Sequence, residues 1–147
     1  EVPPCTGDQS AKQREKRAEQ HLTKASEVKD DNAKIAHLTK AIACIGDFPP
    51  PPPPDSNANE IASLAAFRRG VALERMGKRE AATHDLTTAC STAPMASKIF
   101  HDACMELGMW FHQGGDADRA RGAFAMAVVR DPSNERAWSN HGVVIQQ

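Results

Sequence analysis

Apolar residues in this chain recur at helical rather than strand spacing. Across residues 9–28, Ala18, Leu22 and Ala25 stand at i, i+4 and i+7 in an otherwise charged stretch, which predicts a helix with one narrow apolar stripe. Residues 33–41 predict a second helix, with Leu38 and Ala41 on its inward side and Cys44 at its end. Further along, a repeat is visible. From Gly70, residues Ala82, Leu86, Ala89 and Pro94 follow at offsets of 12, 16, 19 and 24; from Gly108, the same offsets fall on Ala120, Phe124, Ala127 and Pro132. In an alanine-rich chain the alanine matches carry little, whereas paired glycines, large apolar residues and prolines at one spacing define a period. A third frame opens at Trp138 with Gly142 four residues on, as Cys104 precedes Gly108 and Ala66 precedes Gly70. Leu38 and Ala41 match Leu86 and Ala89, so successive frames lie 48 and then 38 residues apart. Gly77 and the pair Gly114-Gly115 stand where the first helix of each hairpin must turn, because glycine accepts positive φ without steric cost.

These residues resemble the tetratricopeptide repeat, whose motif W-x2-L-G-x2-Y, then A-x3-F, then P spans 34 residues as two antiparallel helices. The resemblance covers residues 63–147. Leu107, Gly108 and Phe111 match the first-helix signature, Ala120 and Phe124 the second, and Pro132 the exit turn; Ala66, Arg69, Gly70 and Leu73 form a weaker first-helix match. It implies an all-α fold, a right-handed superhelix of antiparallel helix pairs with about three hairpins and a C-terminal helix. Within one domain, 1–45 is an atypical N-terminal hairpin, 46–60 a proline-rich loop, 61–95 and 96–132 two repeats, and 133–147 a terminal helix. Lys34 stands where the motif wants alanine, as suits an end repeat.

Composition narrows the class of protein. The chain has 147 residues, 40% hydrophobic and 25% charged, enough for one globular domain with its own core. A net charge of −1 provides no electrostatic footprint for a nucleic acid or an anionic membrane. Apolar runs such as 124–129 are too short to insert into a bilayer, and no charged-then-apolar signal segment opens the chain. The start at Glu1 without methionine reads as a processed product or an excised piece. Six prolines, Pro49 to Pro54, predict a stiff polyproline II rod. It is read as a spacer; the alternative is a ligand of EVH1-type domains, since Asp47-Phe48 precedes the prolines.

Four cysteines without a C-x-x-C pair disfavour a zinc ribbon, a thioredoxin-like site and c-type haem attachment. In the fold that the resemblance implies, Cys90 ends one hairpin and Cys104 lies on the first helix of the next. Cys44 ends the first hairpin, and Cys5 precedes the antiparallel helix beside that end. The phrase Ala89-Cys90, then Cys104 to Gly108, resembles the stapling cysteines of secreted bacterial helical-repeat proteins. That likeness implies bridges Cys5–Cys44 and Cys90–Cys104 and a periplasmic or secreted location. The alternative is four buried apolar thiols in a cytoplasmic protein.

No nucleophile elbow, phosphate loop or H-E-x-x-H motif is present, so no catalytic residue, resident metal or cofactor is expected. His101, Met105, Met109 and His112 share one helical face. In the implied fold that face lines a concave groove, with Phe67 and Val71 on one side and Ser139 and Val143 on the other. The reading is a scaffold that binds a protein or peptide segment in a centrally apolar groove. The alternatives are a periplasmic copper-handling protein using the His and Met stripe, of which at most a pair could meet one ion, and a structural spacer in a larger chain. Relatives that clamp a C-terminal carboxylate use Lys, Asn and Arg. Here the corresponding faces carry Glu19 and Thr23, Phe67 and Val71, and Met105 and Met109, with only Arg136 and Asn140 of suitable chemistry. The consecutive Val143, Val144 and Ile145 wrap the terminal helix with apolar surface. This predicts a chain that continues past Gln147 or self-association through the C-terminal helix.

Overall fold

A computed structural model describes residues 2–6, 9–46, 58–93 and 98–130, apart from the side chains at 100, 129 and 130. Among the described residues six helices follow one another: α1 (Ala11–Glu27), α2 (Asp31–Gly46), α3 (Ala58–Arg75), α4 (Arg79–Thr92), α5 (Lys98–Gln113) and α6 (Ala117–Arg130). The described residues contain no strand, and no helix among them is long and apolar enough to cross a membrane. The polyproline run, Pro94, Pro132 and the predicted terminal helix lie outside the described residues.

Local chemistry sets the helix starts. Ser10 closes a capping box on α1: its hydroxyl accepts from the Gln13 amide at 3.2 Å, and its own amide donates to Gln13 Oε1 at 2.8 Å. Asp30 accepts from the Ala33 amide at 3.1 Å, and Asp116 from the Arg119 amide at 3.2 Å, so both satisfy donors that have no partner inside the helix. Between α3 and α4 the chain reverses at Gly77, with φ of 76°; between α5 and α6 it does so at Gly115, with φ of 82°. The loop read as 46–60 is shorter than the sequence suggests. Helix α2 runs through Gly46, and α3 already opens at Ala58, which is buried, with Glu60 in a first turn whose dipole favours a carboxylate.

Packing is sequential. Within hairpins, α1 lies against α2, α3 against α4 and α5 against α6; between hairpins, α2 packs on α3 and α4 on α5. First helices also touch, α1 with α3 and α3 with α5, and so form one side of the array. The result is an all-α helical-repeat superhelix. Its core has two parts, one built on Leu22, Leu38, Ala41, Cys44 and Ile61, the other on Leu86, Ala89, Cys104, Leu107 and Phe124, and Ile42 packs against both.

The repeat offsets have a steric cause. A Cβ on Gly108 would stand 2.5 Å from Phe124 Cε1 and 2.6 Å from its Cδ1, so α5 and α6 cross at a distance only glycine permits. A Cβ on Gly70 would meet Leu86 Cγ at 3.0 Å, a milder version of the same crossing at the same offset of 16. In the first hairpin the position equivalent to Gly70 is Leu22, which is buried. The neighbouring pair changes with it. Arg69 grips Asp85 with two hydrogen bonds, at 2.6 and 2.7 Å, while the equivalent residues 48 positions earlier are His21 and His37, with ring centroids 6.3 Å apart.

Candidate functional site

On α3, Phe67 and Arg68, then Val71 four and three residues on, then Arg75 four further, lie along one helix face. Phe67 and Val71 are half-buried against the larger core, so their outer edges remain open. Opposite them the last turn of α1 brings Ala25 and Ser26, α2 brings Lys34 and Leu38, and α5 brings Glu106. Together these nine residues enclose a groove of about 470 Å³. Its floor is apolar, made by Ala25, Leu38, Phe67 and Val71. Lys34, Arg68, Arg75 and Glu106 form its charged rim.

Ion pairs organise that rim. Arg75 donates to Asp31 Oδ1 at 2.8 Å and thereby ties the end of α3 to the start of α2. This hydrogen bond holds the Asp31 carboxyl below its usual range. Deeper, Arg69 reaches from α3 both to Asp85 on α4 and to the Thr39 hydroxyl on α2, at 3.1 Å, so one guanidinium joins two hairpins. On the α5 side Glu74 approaches Glu106. Burial first, then the charge of Glu106 and a hydrogen bond to it, push the Glu74 carboxyl up to about 7.

The His and Met stripe does not form one open wall. Met105 is 7% exposed and belongs to the core, and Met109 is half-buried against that core. His101 turns toward α6, where its Nδ1 lies 3.3 Å from the Ala127 carbonyl. His112 is half-buried in the last turn of α5. Sequence spacing placed these four on one stripe, but α5 is flanked by helices of two hairpins, and the stripe is divided among them. Of the expected groove residues, Phe67 and Val71 line the cavity, Met105, Met109 and His112 do not, and Ser139 and Val143 lie outside the described residues, as do Arg136 and Asn140. Among the described residues no three His, Cys, Asp or Glu side chains converge as a metal site.

Sequence reasoning missed Arg68, Arg75 and Glu106. One signal was available at Lys34, a lysine at a position the repeat motif gives to alanine.

Two disulfides staple the array. Cys5 joins Cys44 with a Cα separation of 5.4 Å, and Cys90 joins Cys104 at 4.8 Å. The first fastens residues 2–6 across the hairpin, helped by Arg17, which donates to the Pro3 carbonyl at 2.9 Å. The second fixes α4 to α5 across a hairpin boundary and is buried at both cysteines. Further along the α4–α5 seam the Trp110 indole donates to the Thr83 hydroxyl at 2.8 Å, and Arg79 lies 4.5 Å above the Trp110 ring.

No protein-family model matches the chain, and no curated protein matches it. Two solved structures are similar. The crystal structure of MamA has 18% sequence identity and a TM-score of 0.58, over 93% of this chain and 67% of that one. The structure of TTC0263, a thermophilic TPR protein in Thermus thermophilus, has 14% identity and a TM-score of 0.49, over 94% and 65%. At such identities the likeness shows the fold alone, an array of helix hairpins of the tetratricopeptide type.

Proposed function

We propose that this chain, with its tetratricopeptide-type fold, is a non-catalytic interaction scaffold that seats a peptide or protein segment in the groove between α1, α2, α3 and α5. The observation that carries the reading is the groove itself: a cavity of about 470 Å³ with an apolar floor and a charged rim, built on the side of the array where first helices meet. Apolar side chains from a ligand would displace water from Phe67 and Val71, and rim charges would set orientation. The repeat fold supports a scaffold because its rigid, stacked helices present preorganised surfaces without ordering a loop on binding.

The location belongs to the same proposal. Two disulfides, one wholly buried, fit a protein that folds in an oxidising compartment, so the periplasm or the exterior is the expected address. Mass spectrometry of unreduced protein from its native compartment should find a mass four hydrogens below the reduced value; four free thiols there would overturn this part. For the groove, calorimetric titration against a peptide array should find ligands whose binding is lost in Phe67→Asp and in Val71→Asp, with thermal melts showing both variants folded. Ligands that bind folded variants of both kinds unchanged would place the interaction elsewhere.

A further inference from the structure

The charges around the groove are not balanced. Three of the four rim groups, Lys34, Arg68 and Arg75, are cations. Arg75 is engaged with Asp31. Arg68 is exposed on α3, Lys34 is half-buried on α2, and neither has an ion-pair partner within 4 Å among the described residues. Glu106, on the α5 wall, is the one acidic side chain of the lining, against three cations. The groove therefore has a cationic side on α2 and α3 around an apolar floor. Val71 stands between Arg68 and Arg75, which are seven residues, or about 10 Å of helix axis, apart, and Phe67 directly precedes Arg68.

Resting on the groove reading above, we infer that the occupant is an internal acidic and apolar segment of a partner protein: a large apolar side chain seated on Leu38, Phe67 and Val71, with Asp or Glu side chains beside it facing Arg68 and Lys34. Complementary charge of this kind sets register and suppresses wrong partners more than it adds affinity. A basic segment would meet Lys34 and Arg68 at close range, with Asp31 already taken by Arg75. The recognised anions are side-chain carboxylates along the segment. Lys34 and Arg68 come from different helices, α2 and α3, around the same floor, so a segment with carboxylates on either side of its apolar residue can face both.

The test uses capped octapeptides in which leucine alternates with glutamate, glutamine or lysine, titrated into the full chain with its disulfides intact. The glutamate peptide should bind about fivefold tighter than the glutamine peptide, the size two exposed ion pairs give, and the preference should shrink as salt rises. The double variant Lys34→Glu with Arg68→Glu should reverse the order, so that the lysine peptide binds best. Equal binding of all three peptides, or a preference for lysine in the unaltered chain, overturns the inference while leaving a peptide groove in place. Binding that requires a free C-terminal carboxylate also overturns it. If none of the three binds while another peptide does so in a Phe67-dependent way, the acidic partner is wrong and the groove stands.

Discussion

Alanine substitutions at three glycines should separate the steric cause of the repeat from simple helix propensity. In a helix interior, Gly→Ala gains about 1 kcal/mol from propensity alone. Gly122 in α6 is exposed, and a Cβ there would have nothing within 4 Å, so Gly122→Ala should stabilise the protein by about that amount. At Gly70 the new methyl would meet Leu86 at 3.0 and 3.1 Å and Asp85 Cβ at 3.2 Å. Leu86 can give by a few tenths of an ångström, and the two effects should nearly cancel. At Gly108 it would stand 2.5, 2.6 and 2.9 Å from three ring atoms of Phe124, a side chain 2% exposed inside the larger core. Relief there requires α5 and α6 to move apart, and overpacking of that kind costs roughly 2 to 3 kcal/mol. After the propensity gain, Gly108→Ala should be destabilised by about 1 to 2 kcal/mol. Urea unfolding followed by circular dichroism, with the disulfides intact, should therefore order the variants as Gly122→Ala, Gly70→Ala, Gly108→Ala from most to least stable. Adding Phe124→Leu should cost less in the Gly108→Ala background than in the unaltered chain, because the smaller side chain relieves the clash. A Gly108→Ala protein as stable as Gly122→Ala would refute the close crossing.

Asp85→Ala should destabilise the fold by about 2 to 3 kcal/mol in the same assay, since it strips Arg69 of a bidentate partner. The loss stays below that of a fully buried charge because the Arg69 side chain remains 21% exposed. His21 is 0% exposed, and burial first, then Lys40 and His37, lower its pKa below 6.5, while the Pro3 carbonyl opposes in part. The unfolded chain therefore takes up the proton first, and stability should fall as pH drops below 6.5 toward the lowered folded value. His21→Leu should flatten that slope; an unchanged slope would remove His21 as its cause. Glu74 has the opposite sign: with a folded value of about 7 against an ordinary 4.5, its contribution is complete below 4.5 and is lost as pH rises through 7, and Glu74→Gln should abolish this loss. Cysteine-to-alanine pairs should cost about 3 kcal/mol at Cys90–Cys104 and about 4 kcal/mol at Cys5–Cys44, following their sequence separations of 14 and 39. Identical melting of the two paired variants would contradict that ordering by loop length.

The sequence alone determined whatever depends on near neighbours in the chain. Gly70 with Leu86, and Gly108 with Phe124, are partners within one hairpin, so a fixed offset of 16 records a contact that the turn between them guarantees. The turning glycines were legible for the same reason, since a positive φ at Gly77 and Gly115 is a local demand. The groove was not legible, because its lining runs from Ala25 to Glu106 and meets only when hairpins stack. Helical periodicity says which residues share a stripe but not what stands opposite it. Thus His101, Met105, Met109 and His112 fall along one line of α5, yet the exposure of that line is decided by α6 and the core, toward which His101 and Met105 turn. Likewise Arg68 and Lys34 look like ordinary solvated charges along their own helices. Only the packing of α2 on α3 sets both beside the same apolar floor, because the inter-hairpin contacts that place them there have no fixed spacing in the chain.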